Sequence, residues 1–312
     1  MLNDKIKEHL TNNSSPINWE SVHSARESFL KYRKNLKEIQ VEVAFIENRI
    51  VTYNNLTIPM RIYTPEGIGP HPLVVYFHGG GFVLGDLSSV DNLCRYICKY
   101  SERIVISVDY RLAPENPYPA ALEDALASIQ WACNYAGEIN AESTNIAIAG
   151  DSAGGNLAAQ AAILLRDSKE VSINSQWLFY PWLDFKLNSK THKLYGEGYN
   201  LTTEELEWYT SFYLPHHVDR DLPNISPLLQ KNLNALPDSI ILTAQYDPLQ
   251  NDGLVYAKAL LDAGNSVDYT CCKSLTHSFL NMTGEIDEAR EILDQIVAKM
   301  KGRNNKATLE RY

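Results

Sequence analysis

The chain has 312 residues, 45% hydrophobic and 21% charged, the balance of a globular protein able to bury a large core without disulfides, as one large or two ordinary domains. A formal net charge of −10 argues against nucleic acid or an anionic membrane surface as partner and suits small neutral ligands. The opening MLNDKIKEHLTNN lacks the apolar stretch of a secretory signal, and the apolar runs at 73–77 and 158–165 fall short of a membrane span.

Residues 18–37 carry Val22, Ala25, Phe29, Tyr32 and Leu36 at helical spacing, so an amphipathic helix is expected to begin the chain. Two strand-like stretches with alternating apolar residues follow, at 41–53 and 58–65. The pattern then changes to short continuous apolar runs, LVVYF (73–77), RIVISVDY (103–110), NIAIAG (145–150), SQWLFY (175–180) and SIILTA (239–244). Continuous runs mark strands buried on both faces. Helical patterns at 88–100, 120–135, 154–167 and 254–264 separate them. Strand and helix in alternation predict an α/β fold with a mainly parallel sheet covered on both faces.

Residues 184–223 break this alternation. They are rich in Tyr, hold a helical stretch after a cap signal at Leu201-Thr202-Thr203, and contain no buried-strand run. Such an insertion is too long for a plain connection. It is expected to form a lid over one end of the sheet, joined by the N-terminal helix. The division that follows is 1–40 as the N-terminal part of the cap, 41–183 and 224–301 as two parts of the core, 184–223 as the lid insertion, and 302–312 as a polar tail. Cysteines 94, 98, 133, 271 and 272 are odd in number and lack paired spacing, which suits reduced thiols and a cytoplasmic address. Cys94-x-x-x-Cys98 would share a helix face, yet no second ligand pair follows it, so no metal site is expected.

Gly150-Asp151-Ser152-Ala153-Gly154 fits G-x-S-x-G between an apolar run and a helical pattern. In that context a sharp strand-to-helix turn exposes the serine Oγ at the positive end of a helix. A serine hydroxyl needs a base to take its proton and an acid to orient that base. Downstream histidines are His192, His216 and His217, within the lid and best read as surface residues, and His277 beyond it. His277 is therefore the candidate base. Asp247, at the end of the 239–244 run and followed by Pro248, is the candidate acid, preferred over Asp252, which suits a helix N-terminus.

Three consecutive glycines after a strand, at 79–81, can present bare amides to a developing negative charge. No Gly-Lys-Ser/Thr follows for a phosphate loop, and the third glycine of a dinucleotide fingerprint is Leu84. The amides of Gly80, Gly81 and Ala153 are thus expected to form an oxyanion hole.

Together His78-Gly79-Gly80-Gly81-Phe82, the segment DYRLAPE at 109–115, YPAA at 118–121, GDSAGGN at 150–156, Asp247-Pro248-Leu249 and His277 resemble the hormone-sensitive-lipase branch of the α/β-hydrolases, the bacterial GDSAG esterases of family IV. The resemblance covers residues 40–300. It implies a carboxylic-ester hydrolase with a helical cap, no cofactor, a small-molecule ester as partner and a preference for short acyl chains, with His78 and DYRLAPE as scaffold. A homodimer is left open. One departure stands beside the base: Ser278 occupies a position where that family often has glycine. Deacetylase, lactonase or amidase chemistry would use the same groups, and a receptor on this fold would lack the histidine that this chain retains.

Overall fold

A computed structural model describes residues 1–12, 17–37 and 39–302. The eight strands are β1 Phe45–Tyr53, β2 Leu56–Thr64, β3 His71–Phe77, β4 Ile104–Val108, β5 Ala141–Asp151, β6 Ser175–Phe179, β7 Asp238–Tyr246 and β8 Val267–Thr276. They form one sheet in the order β1-β2-β4-β3-β5-β6-β7-β8. The hairpin β1–β2 is antiparallel, β2 runs antiparallel to β4, and every pairing from β4 to β8 is parallel. The alternating stretches near the N-terminus thus become the antiparallel edge, and the continuous runs become the parallel centre. β4 is buried along its whole length, which is why it has no polar face.

Nine helices are described: α1 Asp4–Asn12, α2 Val22–Asn35, α3 Asp91–Ser101, α4 Ala120–Asn134, α5 Ala153–Ser168, α6 Lys190–Tyr195, α7 Thr203–Tyr213, α8 Gln250–Asp262 and α9 Asp287–Lys301. Side chains of β3 alternate between two cores. Leu73, Val75 and Phe77 share one core with α4, α5 and α8, whereas Val74 and Tyr76 share the other with α1, α3 and α9. Burying both faces of a strand forces helices onto both faces of the sheet.

The helix expected over 18–37 is α2, whose N-cap Ser21 accepts from the Ser24 amide. A further helix, α1, precedes it. Its Ile6 enters the core beside α9, Asn3 Nδ2 donates to Glu288, and Lys5 Nζ donates to the Glu285 carbonyl at 2.6 Å. Residues 184–223 hold α6 and α7, and Thr202 caps α7. Trp19 lies edge-on to Trp208 and Tyr209, with ring centroids 4.8 and 5.7 Å away, so the N-terminal segment packs on α7. The polar tail from 303 onward lies outside the described residues. Among the described residues no helix is long and apolar enough to cross a membrane.

Candidate active site

Ser152 sits between β5 and α5 at φ 55° and ψ −115°, a strained conformation for an L-residue that costs about 1–3 kcal/mol and persists only where its surroundings impose it. Here they do. The Ser152 amide donates to the Phe179 carbonyl at 2.9 Å, and the Ser152 carbonyl accepts from the amides of Trp182 and Asn156. At Gly154 an added Cβ would lie 1.9 Å from the Phe77 carbonyl oxygen, so only glycine lets α5 begin this close to β3. The turn projects Oγ into a cavity of about 100 Å³ at the carboxyl ends of the strands.

His277 follows β8 and Asp247 follows β7. Separated by 125 and 30 positions in sequence, the groups meet in order: His277 Nε2 is 3.0 Å from Ser152 Oγ, and His277 Nδ1 is 2.7 Å from Asp247 Oδ2. Asp247 is fully buried, and its other oxygen accepts from the Leu249 amide at 2.8 Å, which fixes the carboxylate's orientation. A neutral imidazole held this way can take a proton at Nε2 while the carboxylate stabilises the cation that forms. The rival Asp252 lies in the first turn of α8, fully buried, and accepts the amides of Leu183 and Asp184 at 3.1 Å each. It braces the chain leaving β6 and does not meet His277. Burial pushes its carboxyl well above the usual range against those two hydrogen bonds.

The glycine loop after β3 is fastened on several sides. Asp151, next to the serine, accepts the Gly79 amide at 2.9 Å and the Tyr76 hydroxyl at 2.8 Å. His78 is buried and stacks on Tyr110 at 4.3 Å, and its Nδ1 is 2.7 Å from the Gly79 carbonyl. Its place is in the loop's scaffold, away from the serine–histidine contact. Arg26 of α2 donates to the carbonyls of Val83 and Ala113 and pairs with both oxygens of Glu115, tying the glycine loop to the DYRLAPE segment. Gly80 and Gly81 both have positive φ, 120° and 62°. Among the described residues neither amide meets a protein acceptor. The Ala153 amide opens α5, where first-turn amides lack intrahelical acceptors. The Ala153 side chain points into the core instead of the cavity.

Of the lid aromatics Tyr195, Tyr199, Trp208, Tyr209 and Phe212, only Tyr209 lines this cavity. Tyr195 and Tyr199 pack on Tyr246, and Trp208 packs on Phe212. The expectation that the lid histidines are surface residues fails at His192. His216 and His217 are exposed, but His192 is buried in α6, its Nδ1 2.7 Å from Ser189 Oγ. Burial lowers its pKa against the pull of Asp247 and Asp184. The reason is tertiary: neighbouring Thr191 donates to the Pro248 carbonyl at 2.7 Å, seating α6 on the loop that carries Asp247.

Several wall residues escaped the sequence reading, among them Trp19, Tyr32 and Arg33 from the N-terminal segment, and Asn200 and Glu205 from the lid. Asn200 Nδ2 donates to the His277 carbonyl at 2.9 Å. Glu205 had a legible signal, because Thr202-x-x-Glu205 is the pattern of a capping box, and both of its hydrogen bonds form. Ser278 adopts φ 61° and ψ 22°, the left-handed conformation that glycine reaches without strain, which accounts for glycine being common there in the resembling family. Among the described residues no three His, Cys, Asp or Glu side chains gather as a metal site, and all five cysteines are free thiols.

The family model described as the alpha/beta hydrolase fold matches residues 74–281, from the glycine loop to just past the histidine. The chain belongs to the alpha/beta hydrolases, within their hormone-sensitive-lipase-like group of carboxylic-ester hydrolases. Its similarity to the carboxylic ester hydrolase LipN of Mycobacterium tuberculosis is 45% identity over 231 residues, covering 72% of this chain and 61% of that protein. Carboxylesterase NlhH of the same species is 37% identical over 263 residues, 82% of each chain. A solved esterase from Pyrobaculum calidifontis superposes with a TM-score of 0.90 at 33% identity, covering 96% of this chain and 98% of that one.

Proposed function

We propose that the protein is a serine carboxylesterase that hydrolyses short-chain acyl esters of small alcohols through an acyl-enzyme on Ser152. The observation that carries this reading is the relay from Ser152 Oγ to His277 Nε2 at 3.0 Å and from His277 Nδ1 to Asp247 at 2.7 Å. Ser152 Oγ attacks the ester carbonyl as His277 takes its proton, and the carbonyl oxygen becomes an oxyanion facing the amides of Gly80, Gly81 and Ala153. His277 then protonates the leaving alcohol. In the second half His277 takes a proton from water, whose oxygen attacks the acyl carbon, and the tetrahedral intermediate collapses to the acid as His277 returns that proton to Ser152 Oγ.

The small cavity, about 100 Å³, supports short acyl chains. The contacts of Trp19 with Trp208 and Tyr209 support assigning 1–40 together with 184–223 to one cap. Five free thiols support a cytoplasmic location. Sedimentation velocity reads whether the chain forms a homodimer.

The test is hydrolysis of p-nitrophenyl acetate, butyrate, octanoate and palmitate by wild type and Ser152→Ala. Turnover is expected on the short esters and to fall by about 10⁶-fold in the variant. Full residual activity in a folded Ser152→Ala would overturn the scheme, and equal turnover of palmitate would overturn the chain-length assignment.

A further inference from the structure

The proposed reaction does not use Glu205, a carboxylate held in the wall of the same cavity as Ser152 and His277. Glu205 occupies the third position of α7. Its Oε2 accepts the Thr202 amide at 2.8 Å while its own amide donates to Thr202 Oγ1 at 3.1 Å. This capping box holds the side chain in place and leaves Oε1 with no hydrogen-bond donor among the described residues. Burial raises its carboxyl's pKa, opposed by the Thr202 hydrogen bonds and by His277, and a carboxylate in partly desolvated surroundings acts on a neighbouring charge more strongly than one in water.

The side of the site on which it stands follows from the reaction. The leaving alcohol must receive its proton from His277 Nε2, so the alcohol lies on the histidine's side. The segment leading to Glu205 is fastened there, because Asn200 Nδ2 donates to the His277 carbonyl. The two other charged residues of the wall besides the histidine, Asp151 and Arg33, are opposite in sign, which leaves Glu205 as the excess charge. Asp151 accepts Gly79 and Tyr76, and Arg33 donates through Nε and Nη2 to the Ser89 carbonyl. Trp19, Tyr32 and Tyr209 add aromatic rings to the same cavity, and ring faces attract cations.

We propose that Glu205 makes the alcohol side of the site selective for esters whose leaving alcohol carries a positive charge, and selective against esters whose alcohol carries a carboxylate. This deepens the esterase reading and rests on it. The carboxylate and the aromatic rings favour a cation in the Michaelis complex, and the fixed charge on Glu205 disfavours an anion.

The experiment compares butyrylcholine, its uncharged carbon isostere 3,3-dimethylbutyl butyrate, and the butyryl ester of glycolate, with wild type and Glu205→Gln at about pH 8, well above the ordinary carboxylate range. Glutamine keeps a carbonyl oxygen for the Thr202 amide, so the capping box survives. In wild type kcat/KM is expected to favour the cation over its isostere by about tenfold and the isostere over the anion by a similar factor. Both ratios are expected to approach unity in Glu205→Gln. Unchanged ratios in the variant, or a wild type that prefers the neutral isostere to the cation, would overturn the assignment. If wild type hydrolyses none of these esters or p-nitrophenyl butyrate, the esterase reading itself fails. Wild type alone supplies a second measurement that needs no variant: choline is expected to inhibit p-nitrophenyl butyrate hydrolysis at about tenfold lower concentration than 3,3-dimethylbutanol. Equal inhibition by the two overturns the proposal.

Discussion

Gly81 is where the glycine loop touches α7, and Gly81→Ala tests whether that contact positions the loop. An alanine Cβ at this position would lie 2.2, 2.3 and 2.6 Å from Cγ, Cδ1 and Cδ2 of Tyr209. Carbon atoms in contact settle at about 3.5–4.0 Å, so the overlap exceeds ~1 Å. The ring cannot yield alone, because Tyr209 is buried and meets Trp19 and Trp208 edge-on at 5.7 and 5.4 Å. Overpacking of this kind costs about 1–3 kcal/mol, and φ of 62° adds ~1–2 kcal/mol for a residue with a Cβ. The expected destabilisation is therefore about 2–5 kcal/mol, which a domain stable by about 5–15 kcal/mol survives. Relief comes from displacing the loop, so one of the amides proposed to form the oxyanion hole is misplaced and kcat on p-nitrophenyl butyrate is expected to fall about 10²–10³-fold. Urea unfolding and steady-state kinetics read the two effects separately. Adding Tyr209→Ala to Gly81→Ala removes the clash and is expected to show a favourable coupling of at least about 1 kcal/mol. A Gly81→Ala protein with the wild-type urea midpoint and kcat within about threefold of wild type would refute the reasoning.

Asp151→Ala leaves the buried Gly79 amide and Tyr76 hydroxyl without their acceptor. It is expected to cost about 1–3 kcal/mol per group and to lower kcat with it, and an unchanged melting temperature would contradict the bracing role. Ser278→Gly relieves a left-handed residue while adding chain entropy to the unfolded state, so thermal unfolding should show stabilisation of up to about 1 kcal/mol. A clear loss of stability would mean that the serine side chain makes a contact worth more than the strain. Asp252 is buried with its carboxyl pushed up, so the fold favours its neutral form. Its contribution is present below the unfolded carboxylate value of about 3.9 and is lost as pH rises through the raised folded value. Asp252→Asn keeps an acceptor for the Leu183 and Asp184 amides. In urea it is expected to be more stable than wild type near about pH 8, with the advantage shrinking toward about pH 4. A constant advantage, or a less stable variant at the higher pH, would contradict burial as the cause.

Much of the architecture was legible because it follows from local pattern. A run such as Ile104–Val108, apolar at nearly every position, can only be a strand covered on both sides, and the alternating 58–65 stretch can only be nearer an edge. Gly150 to Gly154 between strand and helix marks the serine by backbone sterics. The serine, acid and histidine could be sought after successive strands because β5, β7 and β8 run parallel and bring their carboxyl ends to one side of the sheet. These signals are short-range in sequence or depend on the order of elements alone, so no coordinates are needed to read them.

What required the folded molecule is which surface meets which. α1 is polar apart from a few positions, and its burial of Ile6 depends on α9 and the turn before it, where Glu288 and Glu285 lie some 280 positions away. His192 looks like any polar residue of an insertion until Thr191 docks α6 against Pro248. Tyr195, Tyr199, Trp208, Tyr209 and Phe212 look alike in sequence, yet of these five only Tyr209 turns toward the cavity, where it packs against Trp19. Glu205 could be read as a helix cap from its spacing, whereas its position beside Ser152 could not. Spacing along a helix specifies its faces, and only packing between distant segments decides what each face touches.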